Sequence, residues 1–273
     1  MIVAVYKDVD ALKCVLWGLE NQTVDSFEVI ITEDGDDVTL KNFLRCYDGP
    51  LRLRHLHQED LGFRKTRAVN RAIAEAYADY LIFLDGDTIP ERSFVEWHLK
   101  SAEKRWVYAG RRMHLGPRWS RRVRENPSHI RSLEGWSSLL CQAISLHLDG
   151  VRNFEIGAPS PWLHRLLSDH HLNIVGCNFS CFREDIVAIN GYDEELTGIG
   201  GEDDDLQWRF EGLGINTKNV KFLATTYHLH NESRRQDSDL NRQISGRNKA
   251  LKKYVCERGL SQYLLKPINP DKI

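Results

Sequence analysis

The chain has 273 residues, of which 41% are hydrophobic and 28% charged, values typical of one large or two small globular domains. Its 37 basic and 39 acidic residues give a formal net charge of −2, which argues against a dedicated nucleic-acid binder. The longest apolar run, at residues 1–6, has six residues, whereas a membrane-spanning helix needs about 20, so no such helix is expected.

The first 110 residues alternate short apolar runs with helical patterns. Strands are predicted at residues 2–6, 27–32, 51–56, 80–84 and 106–109. Helices are predicted where apolar residues recur at helical spacing, at Leu12, Val15, Leu16 and Leu19 and at Val69, Ala72, Ile73 and Ala76. This rhythm predicts an α/β fold with a mostly parallel sheet flanked by helices. Ligands of such sheets bind beyond the carboxyl ends of the strands.

The middle of the chain, residues 111–172, loses this rhythm and is expected to form an insertion or lid. Residues 104–131 carry nine basic residues and one acidic residue. This basic segment is either a solvated surface or a contact for anionic lipid headgroups or a phosphorylated glycolipid.

The strand–helix order returns in residues 173–235. A strand is predicted at 175–181, a turn at Asn190-Gly191, a helix at 202–213 and a last strand at 221–226. Residues 236–273 are expected to form a polar, helical tail.

The cysteines and the N-terminal residues indicate the cellular compartment in which the protein is expected. Only Cys177 and Cys181 lie close together in sequence, and their CxxxC spacing is a poor zinc signal. A basic region followed by a hydrophobic stretch of secretory length is not seen at the N-terminus. We therefore expect free thiols in a cytoplasmic protein, with peripheral contact to the inner membrane face if the basic segment binds lipid.

Two carboxylates follow the predicted strand at residues 80–84. Asp85 and Asp87 are two positions apart and can point to the same side, while Gly86 lets a bulky ligand approach the backbone. Paired hard oxygen ligands suit Mg²⁺ or Mn²⁺ carrying a diphosphate. The alternative is a solvated turn at the end of a strand.

A second acidic cluster lies further along the chain. Residues 193–205 contain seven acidic residues and no basic one, and the cluster ends in Gly200-Gly201-Glu202-Asp203-Asp204-Asp205. Neighbouring carboxylates repel each other, so the cluster needs a reason. It either favours the dipole at a helix start or forms a ligand site, with the glycines passing close to the ligand.

Two further motifs lie at predicted strand ends. His228 and His230 follow the last strand and could add an imidazole to a carboxylate metal site, or they are surface histidines. Glu33 and Asp34 end an earlier strand, where Asp-Gly could simply form a turn. All four motifs lie at the predicted carboxyl edge of one sheet.

In this order, the motifs resemble family 2 of the glycosyltransferases, which have the Rossmann-like GT-A fold. FEVIITEDGD is similar to the family's nucleotide-binding strand, and LGFRKTRAVNRAIAEAYADYLIFLDGDTIP to its run from a glycine–basic segment to the DxD motif. NFSCFREDIVAINGYDEEL and GIGGEDDDLQWR resemble the acceptor-side segment of β-1,4-galactosyltransferases and bacterial chondroitin polymerases. The resemblance covers residues 2–110 and 173–232 and implies one GT-A domain overall.

The resemblance also implies a role for each matching residue. Asp203 would be the general base. The metal, Mn²⁺ or Mg²⁺, would be held by Asp85, Asp87 and His228, with His230 as the alternative imidazole. Contacts with the nucleotide sugar are implied for Glu33, Asp34, Arg67, Asn70, Asp85, Gly200, Gly201 and Glu202. Apart from the resemblance, the nearby Arg234 or Arg235 could help to neutralise the diphosphate after loop closure.

The implied reaction is metal-dependent transfer of a sugar, with inversion, from a nucleotide diphosphate sugar to a glycan or glycolipid hydroxyl. A UDP-sugar is the expected donor, and bacterial lipopolysaccharide or capsule synthesis is the expected setting. Ile199 stands where the galactosyltransferases have Trp, so the identity of the sugar is not transferred. Ala4 and Lys7 replace the usual Pro and Asn of the first strand.

Three alternatives are weighed against this reaction. A nucleotidyltransferase that makes sugar nucleotides should have a glycine-rich, basic loop after the first strand, but residues 6–10 read YKDVD. A noncatalytic carbohydrate-binding relic would be expected to lose Asp203 or the DxD pair, and both are intact. An RNA-binding module would fit only the basic segment, so no nucleic-acid partner is expected.

Overall fold

The structure, a computed structural model, describes residues 1–167, 172–231 and 239–264. The strands in these ranges are β1 (Ile2–Val5), β2 (Val29–Glu33), β3 (Leu53–His57), β4 (Tyr80–Asp85), β5 (Thr88–Pro90), β6 (Trp106–Ala109), β7 (Arg111–His114), β8 (Phe179–Phe182), β9 (Asn216–Asn219) and β10 (Thr225–His228). The helices are α1 (Val9–Glu20), α2 (Val38–Arg45), α3 (Lys65–Glu75), α4 (Phe94–Ser101), α5 (Pro117–Glu125), α6 (Trp136–Leu148), α7 (Pro161–Leu167), α8 (Arg183–Ala188), α9 (Glu202–Gly212), α10 (Asp239–Ala250) and α11 (Ser261–Leu264).

The main sheet has seven strands in the order β3-β2-β1-β4-β8-β6-β9. Strands β1 to β4 are parallel, whereas β8 pairs antiparallel with both β4 and β6. The strand order reverses between β1 and β4, and ligands of open α/β sheets bind outside the carboxyl ends at such a point. The predicted α/β fold with a mostly parallel sheet is therefore confirmed.

A second sheet of three strands, in the order β5-β10-β7, lies next to this crevice. Strand β10 pairs antiparallel with β5 and parallel with β7. Its register places His228 opposite Thr88 and beside His114. Because β5 begins one residue after Asp87, this pairing brings the last strand of the chain to the DxD motif.

Apolar clusters cover both faces of the main sheet. One contains Leu12 and Leu16 of α1 together with Val3 of β1, and the other contains Val69 and Ile73 of α3 with Phe210 of α9. Each fully buried side chain of this size contributes about 1.5–3 kcal/mol relative to leaving it exposed. In the part of the chain that the structure describes, no helix has the length and apolar character needed to span a membrane.

Some predicted elements differ in extent. The strand predicted at 175–181 is shorter in the structure, where it begins with β8 at Phe179. The preceding residues form a turn instead, because the Asn178 N–H donates to the Val175 carbonyl. The strand predicted at 221–226 begins at Thr225, since Phe222 adopts a φ of 66° in a turn. Helix α2 was not predicted; the Asp37 carboxylate caps it by accepting from the Leu40 N–H.

The segment at 111–172, predicted to be an insertion or lid, contains both a strand and helices among its described residues. Its first strand, β7, belongs to the second sheet, and its helices follow from α5 onward. All six cysteines are free thiols.

Candidate active site

The turn after β4 places the DxD motif over the end of β1. The Gly86 N–H donates to the Ala4 carbonyl at 2.7 Å. A Cβ on Gly86 would lie 2.9 Å from Val5 Cγ2 and 3.2 Å from the Ala4 oxygen, so a larger residue would push the turn away. Glycine therefore allows Asp85 and Asp87 to lie at the crevice between β1 and β4.

Asp87 lies beside His228. The distance from His228 Nε2 to Asp87 Oδ1 is 3.6 Å, and the backbone holds them together because the Leu229 N–H donates to the Asp87 carbonyl. The Asn231 amide also donates to the Asp87 carboxylate. Burial lowers the pKa of His228, although Asp87 opposes this, so the imidazole is mostly neutral at pH 7. A neutral imidazole keeps the lone pair that metal binding requires.

Asp85 is paired with a residue that the sequence analysis did not single out. Lys65 Nζ lies 2.6 Å from Asp85 Oδ1, and both side chains are half-buried. Lys65 is the first residue of α3 and belongs to the glycine–basic segment. Its position in this segment marked Lys65 as a candidate site residue, but nothing in the sequence indicated which of the neighbouring basic residues would reach the DxD motif.

Asp203 lies in the first turn of α9, where the helix follows glycines with positive φ, Gly200 at 97° and Gly201 at 89°. Its Oδ2 accepts a 2.8 Å hydrogen bond from the Gly176 N–H. Its Oδ1 is buried without a hydrogen-bond partner among the described residues. Burial raises the pKa of Asp203 to about 6; Lys65 opposes this rise and Glu202 adds to it.

Lys65 links Asp203 to the DxD motif. A Cβ built on Gly176 would lie 2.7 Å from Asp203 Oδ1 and 3.2 Å from Lys65 Nζ, so these two groups share the space above Gly176. The tertiary structure therefore brings Asp85 and Asp203, which are far apart in sequence, near one ammonium group, that of Lys65. This arrangement suits proton transfer at Asp203, because a base works best with a pKa near the working pH.

The other acidic residues of α9 have different environments. Asp205 forms a 2.7 Å ion pair with Arg209, and both side chains are fully buried. Arg209 also donates to the carbonyls of Ile189 and Gly191, which fixes the turn before the cluster. Asp204 is exposed, whereas Glu202 is buried and its Oε2 lacks a partner among the described residues. Asp205 is thus a structural residue.

The donor set at Asp87 fits a divalent cation in part. A carboxylate and a neutral imidazole are ligands that Mn²⁺ accepts. Asp85, however, is held by Lys65, and among the described residues no three His, Cys, Asp or Glu side chains lie together as a metal-binding group. His230 is exposed and lines a separate open cleft of about 420 Å³ with Arg121 and Arg124, so the structure favours His228 as the imidazole.

Most of the polar atoms predicted to contact the nucleotide are bonded within the protein. Asp34 accepts from the Gln58 amide at 2.7 Å and from the Arg64 N–H, and burial raises its pKa. Glu33 is fully buried and accepts from the Asp37 N–H and pairs with His55. These two carboxylates shape the end of β2, and their nucleotide contacts stay predictions.

The remaining predicted contacts lie on α3, on the glycine turn and in a part of the chain outside the described residues. Asn70 is fully buried, and its amide bonds in both directions to the backbone of Tyr192. Arg67 is exposed in the first turn of α3. The Gly200 carbonyl accepts from the Asn241 amide. Arg234 lies outside the described residues.

The basic segment at 104–131 is partly structural. Arg124 makes two 2.8 Å hydrogen bonds to the Asp8 carboxylate, and Arg131 donates to Asn21. Arg118, Arg121 and Arg122 are exposed on α5. Arg112 of β7 donates to the Cys177 sulfur at 2.7 Å and was not among the residues predicted to contact the nucleotide sugar.

Comparisons with known proteins agree with this geometry. Residues 1–160 match the family described as Glycosyl transferase family 2, and residues 167–232 match the family described as N-terminal domain of galactosyltransferase. The chain is 28% identical over 228 residues to validoxylamine A glucosyltransferase of Streptomyces hygroscopicus subsp. jinggangensis, covering 79% of this chain and 51% of that protein. It is 20% identical to chondroitin synthase of Escherichia coli, covering 88% of this chain and 36% of that protein. The chain thus spans about half the length or less of these relatives.

Solved structures share the fold at low identity. GalNAc-T7 with UDP, GalNAc and Mn²⁺ superposes with a TM-score of 0.59 at 12% identity, covering 93% of this chain and 49% of that chain. Staphylococcus aureus TarS 1-349 with UDP gives a TM-score of 0.58 at 12% identity, covering 96% and 68%. The family match covers more than half of the chain and confirms the resemblance of the motifs. The chain therefore belongs to glycosyl transferase family 2, a family of transferase enzymes, and has the GT-A fold.

Proposed function

We propose that the chain transfers a sugar from a nucleotide diphosphate sugar to a hydroxyl group of a glycan or glycolipid, with inversion at the anomeric carbon. The observation that carries the proposal is Asp203: its Oδ1 is buried without a partner among the described residues, and its pKa is raised to about 6. Such a carboxylate is ionised at neutral pH yet basic enough to accept a proton.

On the donor side, Asp87 and His228 would hold Mn²⁺ or Mg²⁺. When bound, the cation would stabilise the negative charge of the departing diphosphate as a Lewis acid. Lys65 would keep Asp85 oriented through their 2.6 Å contact. The use of UDP and of a cation is supported by the solved relatives described with UDP and Mn²⁺.

On the acceptor side, Asp203 would take the proton from the attacking hydroxyl group. The hydroxyl oxygen would form a bond to the anomeric carbon as the bond to the diphosphate breaks, and the nucleotide diphosphate would leave. One displacement of this kind inverts the configuration, so an α-linked donor would give a β-glycoside. The Gly176 N–H would hold Oδ2 still, leaving Oδ1 for the proton.

The acceptor would be a growing bacterial surface glycan or its lipid carrier, in lipopolysaccharide or capsule synthesis. Chondroitin synthase and hyaluronan synthase among the relatives support a polysaccharide setting. The exposed Arg118, Arg121 and Arg122 of α5 would touch anionic lipid on the cytoplasmic side of the membrane. Replacing these three with Gln should reduce sedimentation with anionic liposomes. Equal sedimentation of parent and variant, or none by the parent, would contradict the membrane contact.

The function is tested by incubating the purified chain with a panel of nucleotide sugars and measuring release of the nucleotide diphosphate. One donor should be hydrolysed slowly with Mn²⁺ or Mg²⁺ and not after chelation. A matching acceptor should accelerate release, and NMR of the product should show inverted configuration. Release of pyrophosphate would instead indicate a nucleotidyltransferase. Binding of glycan without turnover of any donor would indicate a noncatalytic relic of the fold.

A further inference from the structure

Arg112 lies on the face of the second sheet that carries His228. In the parallel pairing of β7 with β10, Arg112 is beside Thr226 and His114 is beside His228. Alternate residues of a strand share a face, so Arg112 and His114 point to the same side. The rings of His114 and His228 contact each other, with centroids 5.1 Å apart, which identifies that side as the metal side of the crevice.

The guanidinium of Arg112 also interacts electrostatically with the carboxylates of the site. Burial acts to lower its pKa, but the charges of Asp85 and Asp203 contribute to raising it. Its positive charge in turn contributes to the lowered pKa of His228. Arg112 thus lies within electrostatic range of the proposed base, of the DxD motif and of the metal-side imidazole.

The hydrogen-bonding capacity of this guanidinium is mostly unused. Nη1 donates to the Cys177 sulfur at 2.7 Å, and Nε is buried without a partner among the described residues. Within the same residues Arg112 forms no ion pair with a carboxylate, although Lys65 and Arg124 both do. A guanidinium presents five N–H donors in a planar fork that matches phosphate and carboxylate oxygens. A buried charge needs a charged or polar partner, and a thiol is a weak one. The guanidinium of Arg112 is therefore suited to bind an anion.

We propose that Arg112 binds a negatively charged oxygen group of the nucleotide sugar, a phosphate oxygen of the diphosphate or a carboxylate on the sugar, and so helps to determine which donor the chain accepts. This inference rests on the proposed transfer from a nucleotide sugar. It assigns to β7 a specificity-determining residue on the face of the second sheet that carries His228.

The test is calorimetry of the full chain with Mn²⁺ and three probes: UDP, UDP-glucose and UDP-glucuronate. Arg112→Met removes the charge and the donors at similar length. Its matched control is Arg111→Met, because Arg111 is the adjacent residue of β7 and donates to the carbonyls of Gly110 and Asn173. Arg112→Met should weaken at least one probe by about 10- to 100-fold, the range for hydrogen bonds to charged groups. Arg111→Met should stay within about twofold of the parent, the scatter of single surface changes.

The pattern of loss distinguishes the two anions. An equal loss for all three probes identifies the diphosphate as the partner of Arg112, whereas a loss confined to UDP-glucuronate identifies a sugar carboxylate. Unchanged affinity for every probe, with or without a lower melting temperature, overturns the inference and leaves Arg112 as a support for Cys177. If Arg112→Met does not fold, Arg112→Gln decides, because it removes the charge but keeps a polar side chain; parental affinity in that variant also overturns the inference.

Failure of the proposed function has a different signature. If the parent chain binds none of the probes, the UDP-sugar donor is wrong and the inference about Arg112 is refuted with it. If the parent binds and the Arg112 variants bind equally well, only the inference about Arg112 is refuted.

Discussion

Replacing Asp203 with Asn removes the proposed base while leaving its surroundings almost intact. The amide oxygen of Asn can accept from the Gly176 N–H as Oδ2 does now at 2.8 Å. The Lys65–Asp85 pair at 2.6 Å does not involve Asp203 and should persist. General-base catalysis contributes about 10²–10⁴-fold, so sugar transfer should fall by that factor. Nucleotide and metal affinity should barely change, because both depend on the opposite side of the crevice.

The pH dependence gives a second readout of the same residue. Burial raises the pKa of Asp203 to about 6, and a base must be deprotonated to act. The kcat/KM of the parent should therefore be constant at neutral pH and fall as the pH drops through about 6. A carboxylate of ordinary pKa would keep its activity to about pH 4. The Asn variant should lack this acid limb.

The matched control is Asp204→Asn, since Asp204 is the adjacent acidic residue and is exposed. It should retain parental transfer and the parental pH profile. Initial rates with the donor found in the nucleotide-release assay, together with calorimetry of nucleotide binding, measure both properties. Near-parental turnover by Asp203→Asn, or loss of nucleotide binding along with turnover, would refute the role of Asp203. The same loss in Asp204→Asn would move the base by one residue.

Three further perturbations test other parts of the site. Asp87→Ala should abolish Mn²⁺-dependent binding of UDP while the circular dichroism spectrum is kept; unchanged affinity in calorimetry would remove Asp87 from the metal site. Lys65→Met should move the acid limb of kcat/KM to a pH above that of the parent, because the Lys65 charge lowers the Asp203 pKa; an unmoved or lower limb would contradict their coupling. Asp205→Ala should lower the free energy of unfolding in urea by about 3–5 kcal/mol, since it leaves Arg209 buried and unpaired, whereas a change below about 1 kcal/mol would indicate that the pair is dispensable.

The sequence by itself determined where the strands that end at the site lie along the chain. Apolar runs that end in acidic residues are local signals, and they located β1, β2 and β4 to within two residues and placed the DxD motif at a strand end. The helical period of Leu206 and Phe210 likewise placed Asp203 in a first turn, and α9 begins at Glu202 as expected. These features depend on neighbours along the chain, which a pattern can show.

Only the tertiary structure decided which side chains meet. Lys65 reaches Asp85 across 20 residues, the Gly176 N–H reaches Asp203 across 27, and Arg112 reaches Cys177 across 65. Each contact depends on strand register and on the face that a helix presents to the sheet. The local periodicity of the sequence predicts neither of them. The same reason explains why Asn70 is buried against Tyr192, 122 residues away, a contact that the surrounding motif did not indicate. Long-range packing also buries Asp203, and this burial raises its pKa. Desolvation of a carboxylate is a property of the folded chain, so the sequence around Asp203 could not indicate it.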